Sequence, residues 1–376
     1  MKSVKFLFPL LLLFCTFLLC GCTNKEEKKI ETAVKQELDL LKNLDSHTTQ
    51  KYISYQEIFP GDTKDIPDSS HIEEVFSLFF QDFDYKILDV NVDKDKQSAQ
   101  ANLRLITLDT HALAEDFSKA QLEHEISQAA SSDKDEEQTI SLEDRYIILD
   151  KLLKNNDYQT VERNCTISLN AIDSDGETKW EIQRTNTLEN DLVGGLMNYL
   201  TDPDILSPED TLLVYLDTLK NMSTDELGNY LNADSILSTE DPAKIKMAEA
   251  LVNQVHASFD YSIDLTSVSG YTATVTACIT TFDSDAILEN YQKELNTYLA
   301  SVDAVIDGSQ KRYEKSYSML LDYIEENTAT KTVETTFTLI NDGASWKLED
   351  AGSVFGQALF GNLSSSPVED AQESAD

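Results

Sequence analysis

Apolar positions along this chain fall into three patterns, and each predicts a different kind of element. From Phe6 to Leu19 the run is almost wholly apolar, broken only by Pro9 and Thr16. At about 1.5 Å per residue it makes roughly 21 Å of helix, short of the ~30 Å core of a bilayer, which predicts a removable leader rather than a spanning helix. Elsewhere apolar residues recur at helical spacing, as in Ile30, Val34, Leu38 and Leu41, in Ile72, Val75, Phe76 and Phe79, in Leu212, Tyr215, Leu216 and Leu219, and in Ala248, Leu251, Val252 and Val255. A third set alternates. Ala99, Ala101, Leu103 and Leu105 form one run, Tyr261, Ile263 and Leu265 another, and Tyr271, Ala273, Val275, Ala277 and Ile279 a third, the last opposite threonines. Period two with one apolar side predicts strands buried on one face.

The same patterns occur twice. Phe83-Asp84-Tyr85 recurs as Phe259-Asp260-Tyr261, Thr107-Leu108-Asp109 as Thr281-Phe282-Asp283, Val161-Glu162 as Val333-Glu334, and Trp180 as Trp346. The matches keep their order, so the chain reads as two copies of one unit, over residues 29–200 and 207–362. Each copy opens with a helix, the second capped by Ser207 with Pro208 at its first turn and Glu209 and Asp210 at its positive end. A short second helix is expected over 48–58 and 224–237. A third follows, starting in a capping box of Ser70 and Glu73 in one copy and at Asp241-Pro242 in the other. After two strands a helical hairpin interrupts each sheet, over 110–154 and 284–327, the first split by the acidic stretch 131–137 and the second near Asp307-Gly308-Ser309. Closing strand pairs turn at Asp173-Ser174-Asp175-Gly176 and at Asn341-Asp342-Gly343. A short helix ends each copy, at 188–200 and 352–361. Residues 201–206 read as a linker, 22–28 as a tether and 363–376 as a polar tail.

Helices followed by a meander of antiparallel strands predict an α+β protein made of two tandem sheet-and-helix units, each with an inserted hairpin. The order is similar to the cone-shaped fold of nuclear-transport-factor-like and cystatin-like domains, in which helices pack into a curved antiparallel sheet. The hairpin between the strands departs from that pattern.

Leu19-Cys20-Gly21-Cys22 closes the leader, and Thr23-Asn24-Lys25-Glu26 follows it. The stretch resembles the lipobox of bacterial lipoproteins. The resemblance implies cleavage after Gly21, a leader over 1–21 and a diacylglycerol on the Cys22 thiol. Two acyl chains hold a protein at a membrane stably. A tandem α+β body behind such an anchor is similar to uncharacterised lipoproteins of Gram-positive bacteria, which places the chain on the extracytoplasmic face of the cell membrane.

Composition narrows the partners. The chain carries a formal charge of −38, and losing Lys2 and Lys5 with the leader makes it −40. Plain repulsion disfavours nucleic acid and anionic lipid headgroups. Only Cys22, Cys165 and Cys278 outlast cleavage, too few for a disulfide framework. Cys165 falls on the apolar side of a strand and Cys278 on the threonine side of another, both as small fillers.

Chemistry is thin. His47, His71, His111, His124 and His256 show no zinc spacing, and Asp173-Ser174-Asp175-Gly176-Glu177 lacks the later glutamate of a calcium loop, since position 182 is Ile182. No metal or cofactor is implied. The repeated polar residues Asp84, Asp260, Asp109 and Asp283, with Trp180 and Trp346, are the candidate pocket residues. A carboxylate buried in a cone pocket could serve as a general base, whereas an aspartate at a helix-to-strand junction ordinarily closes a turn. The expectation is a non-catalytic module binding an extracellular protein, a peptide or a small hydrophobic ligand. A spacer of the cell envelope and a cone-pocket enzyme are the alternatives.

Overall fold

The computed structural model describes residues 25–59, 69–93, 95, 97–131, 140–174, 176–231, 242–349 and 351–364. The leader, Cys22, most of the acidic stretch 131–137, Asp175, Asp241 and the tail beyond Ser364 lie outside the described residues.

The fold is α+β, with two four-stranded antiparallel sheets of the same order. The first part runs α1 (Lys25–Lys42), α2 (Ser46–Tyr52), α3 (Ser69–Phe79), β1 (Asp84–Asp93), β2 (Ser98–Leu108), α4 (Thr110–Ala129), α5 (Leu142–Asn155), β3 (Thr160–Ser174), β4 (Glu177–Ile182), α6 (Asn186–Leu192) and α7 (Leu196–Tyr199). The second runs α8 (Pro208–Asn221), α9 (Thr224–Tyr230), α10 (Pro242–Ser258), β5 (Asp260–Ser269), β6 (Thr272–Phe282), α11 (Ser284–Leu299), α12 (Val302–Glu325), β7 (Thr330–Asn341), β8 (Trp346–Leu348) and α13 (Ala351–Phe360). A 3₁₀ turn, Gly361–Leu363, ends it.

Alternation sets the sheets. Ala99, Ala101, Leu103 and Leu105 of β2, and Ala273, Val275, Ala277 and Ile279 of β6, are all buried, while their neighbours turn outward. Both sheets carry a bulge at the same place, between Ile87 and Asp89 in β1 and between Ile263 and Leu265 in β5. A bulge bends and twists its strand, so the two sheets are shaped by the same device. Against them lie the apolar stripes of the helices. Ile30, Val34, Leu38 and Leu41 of α1 are buried, as are Leu212, Leu216 and Leu219 of α8. Cys165 of β3 is buried and Cys278 of β6 half-buried, each as a free thiol.

Several boundaries differ from the sequence reading. The start of α3 differs from the expected cap position: the helix already includes Ser69, so Ser70 lies within it. The closing helix of the first copy is split in two at Gly194 and Gly195, both at positive φ. The 201–206 stretch is part of the second unit: Asp204 Oδ1 accepts from the Trp346 indole N–H (2.9 Å) and from Asn341 Nδ2 (3.1 Å).

The chain forms two compact units, but their seam is not the repeat boundary. One holds residues up to Ala114 together with Leu142–Leu200, and the other holds Glu115–Ser141 together with Thr201 onward. Burial explains the assignment of 115–141. Ile126 and Ala130 belong to the apolar core built by Leu212, Leu216, Leu251, Val255, Phe282 and Tyr317.

Candidate functional site

The repeated Phe-Asp-Tyr closes a clasp between the first helix and the first strand of each unit. In the first unit Lys42 Nζ lies 2.8 Å from Asp84 Oδ1, and Tyr85 Oη donates to Asp39 Oδ1 at 2.6 Å. In the second, Lys220 Nζ lies 2.8 Å from Asp260 Oδ1, and Tyr261 Oη donates to Asp217. Both aspartates also accept their own neighbour's backbone N–H, at 2.9 Å from Tyr85 and 3.0 Å from Tyr261. Phe83 and Phe259 are the buried ends of the motif. The hydrogen bond from each lysine, then that from each tyrosine N–H, holds the Asp84 and Asp260 carboxyls below the usual carboxylate range. Burial, and then the bond to aspartate, pushes the Tyr85 and Tyr261 phenols up.

This electrostatics is the reverse of what a general base in an apolar pocket shows, where burial raises a carboxyl. The side chains are 49% exposed at Asp84 and 67% at Asp260, so both belong to surface ion pairs. Sequence reasoning singled out one half of each clasp. The other half, Asp39-Leu-Leu-Lys42 and Asp217-Thr-Leu-Lys220, was also repeated and legible.

Asp109 and Asp283 sit at the starts of α4 and α11. Asp283 accepts from Asp285 N and Ala286 N, each at 3.1 Å, and Asp109 from Ala112 N at 3.4 Å. Trp346 is buried with its indole on Asp204, and Trp180 is half-buried with its indole N–H 3.4 Å from Glu26 Oε2. The six candidate residues therefore divide among two clasps, two caps and two indole anchors, and share no pocket.

A second repeated joint was missed. In each unit a glycine at the end of the closing helix presses on the start of the hairpin. Gly194 (φ +64°) packs against Thr107 and Thr110, and a Cβ there would stand 2.9 Å from Thr107 Oγ1. Gly361 (φ +52°) packs in the same way against Ser284 Oγ, which accepts from Asn362 N at 3.3 Å.

Three hollows mark the first unit. One of about 380 Å³ lies over the clasp and includes Glu31, Lys35, Lys42 and Asp84. One of about 480 Å³ at the end of the sheet is lined mainly by polar residues, among them Asn91, Ser98, Gln100, Asn170 and Gln183. The third, of about 410 Å³, has an apolar floor of Leu44, Ile53, Tyr55, Ile72 and Phe76. Its size falls within the range of small-ligand sites. Among the described residues no cluster of three or more His, Cys, Asp or Glu side chains could hold a metal ion, and no helix is long and apolar enough to cross a membrane.

No family model matches the chain, and no curated protein matches its sequence. Among solved structures it is similar to a candidate lipoprotein of Bacillus subtilis, ycdA. The identity is 14% with a TM-score of 0.25, over 74% of this chain and 96% of that one. A likeness of that degree carries no argument about fold or activity.

Proposed function

We propose that the chain is a lipid-anchored protein of the extracytoplasmic face of a bacterial membrane, whose tandem units act as a non-catalytic binding module. The anchor rests on Leu19-Cys20-Gly21-Cys22 at the end of a leader too short to span. The observation that carries the non-catalytic reading is the use of the repeated carboxylates. Asp84 and Asp260 are ion-paired at the surface, and Asp109 and Asp283 receive helix N–H groups. The apolar-floored hollow of the first unit is the binding site in this reading, with a peptide side chain or a small hydrophobic molecule as its occupant.

Two measurements test it. Intact mass of the membrane-extracted protein should show a chain beginning at Cys22 with a diacylglycerol adduct, and an unmodified N-terminus would refute the anchor. Native mass spectrometry of the purified protein should show a retained hydrophobic mass that is lost in Leu44→Asp/Tyr55→Ser. A retained mass indifferent to those changes would refute the assigned hollow. Turnover of a substrate abolished by Asp84→Asn would refute the non-catalytic reading.

A further inference from the structure

The hairpin of the second unit ends in an apolar tip that its core does not use. Leu299 closes α11 and Val302, Val305 and Ile306 open α12, and they stand 46%, 74%, 79% and 74% exposed. The turn that presents them is closed at several points. Ala304 is buried and its N–H reaches Ser301 Oγ at 3.4 Å. Asp307, whose side chain is only 13% exposed, takes Lys315 Nζ at 2.6 Å and the Tyr298 hydroxyl at 3.0 Å, and Arg312 donates to the Ala304 carbonyl. At Gly308, with φ +70° and ψ 176°, the helix breaks, so Val302–Asp307 is a separate turn set at an angle to the rest. The apolar side chains are thus held out by a fixed scaffold.

Charge and area select the occupant. Within 301–315 the acids Asp303, Asp307 and Glu314 are matched by Lys311, Arg312 and Lys315, so this stretch is neutral in a chain of −38. The stretch's own charges therefore add no net repulsion toward anionic headgroups. Four side chains fall far short of the ~800 Å² per partner of a stable protein interface. An apolar tip entering a headgroup layer needs no complementary groove. The matching stretch of the first copy, Ser131-Ser132-Asp133-Lys134-Asp135-Glu136-Glu137, has no apolar residue, so the feature belongs to the second copy alone.

From this we infer that Leu299, Val302, Val305 and Ile306 form a second, non-covalent contact with the lipid bilayer, which fixes the second unit against the membrane while the lipid on Cys22 tethers the first. The inference rests on the anchor reading, and one experiment separates the two. The full lipid-bearing chain is reconstituted in phosphatidylcholine–phosphatidylglycerol vesicles with Cys278→Ser, and a polarity-sensitive dye is placed at Val305→Cys or, as control, at Glu334→Cys. Both native positions are exposed, so the label does not disturb a core. Flotation with the vesicles reports the anchor. Shallow spin-labelled lipid should quench the dye at position 305 at least three-fold more than at 334, and Val302→Asp/Ile306→Asp should abolish the difference. Equal quenching in floating protein overturns the tip contact and leaves the anchor standing. A blue-shifted but unquenched dye that cross-links to a second copy overturns it in favour of a protein contact. Failure to float overturns the anchor and the tip contact together.

Discussion

Replacing Gly361 with alanine tests whether the helix-end joint holds the second unit together. Two costs add at this position. Left-handed backbone costs a non-glycine residue about 1–2 kcal/mol. The new Cβ also falls well inside contact distance of Ser284 Oγ, which is buried and holds Asn362 N. Displacing the hydroxyl forfeits a hydrogen bond of about 0.5–1.5 kcal/mol, and overpacking adds about 1–3 kcal/mol. The expected loss is about 3–5 kcal/mol. Gly270 is the internal control, because its φ of +63° is comparable and a Cβ there would meet nothing within 4 Å. Gly270→Ala should therefore cost only the backbone share, about 1–2 kcal/mol. Urea unfolding followed by tryptophan fluorescence reads this directly in a Trp180→Phe background, where Trp346 reports the second unit alone. Ser284→Ala should cost about 1 kcal/mol by itself yet relieve part of the Gly361→Ala loss, since it removes the clashing atom. The double mutant should fall about 2 kcal/mol short of additivity, within the range for contacting residues. Equal losses at Gly270 and Gly361, or strict additivity with Ser284→Ala, would refute the reasoning.

Other outcomes follow from the same geometry. Arg184→Met should destabilise the first unit by about 1–3 kcal/mol, because it strips the 3.1 Å partner from Glu189, a carboxylate only 1% exposed, whereas Glu57→Ala on the same arginine should be near neutral; thermal melts separate them. Trp346→Phe should cost about 1.5–3 kcal/mol, the value of a hydrogen bond to a charged acceptor, while Trp180→Phe, half-buried with a 3.4 Å contact, should cost less; equal shifts in melting temperature would contradict this. The Asp84 and Asp260 carboxyls titrate lower folded than unfolded, so their contribution is complete above the ordinary carboxylate range and is lost as pH falls through the folded values. Carboxyl-carbon NMR should place both midpoints below those of free aspartate, and Lys220→Met should raise that of Asp260 alone.

Element type and order were legible because they depend on neighbours a few residues apart. The alternation at 99–105 and 273–279, the helical stripes and the turn at Asn341-Asp342-Gly343 each carry their own signal, whereas the same alternation wrongly placed Tyr271, which precedes its strand, and Leu265, which follows the bulge, on buried faces: they are 76% and 64% exposed. Matching Phe-Asp-Tyr, Thr-x-Asp and tryptophan then set the elements of the two units side by side, and the two sheets do have the same order. What stayed hidden depends on partners distant in sequence. Asp84 draws its meaning from Lys42, and Gly361 from Ser284. The unit membership of 115–141 was hidden for a related reason. Leu113 and Ala114 are buried in one unit while Ile126 is buried in the core of the other, so α4 has no single stripe to read.

Because the two sheets have the same order, each sheet-and-helix unit acts as a control for the other. Features present in both are the clasp, the cap, the glycine joint and the bulge, and every one of them closes the backbone or ties one element to the next. In the first unit the clasp residues and Ile87 at the bulge border the same open hollow of about 380 Å³. Two further features are of another kind. The apolar-floored hollow of Leu44, Ile53, Tyr55, Ile72 and Phe76 belongs to the first unit, and the exposed tip of Val302, Val305 and Ile306 to the second. Exposed apolar side chains lower solubility and gain nothing for the fold, so their one-sided placement needs a reason outside folding. On the proposed reading the units share an architecture and differ in task, with ligand contact in the first and membrane contact in the second. Exchanging Val302 and Ile306, both 74% exposed, for aspartate should accordingly leave the melting temperature of the second unit within about 2 °C, on the scale of a neutral surface change, while abolishing lipid quenching at position 305. A large loss of stability on that exchange would show that the tip serves the fold after all.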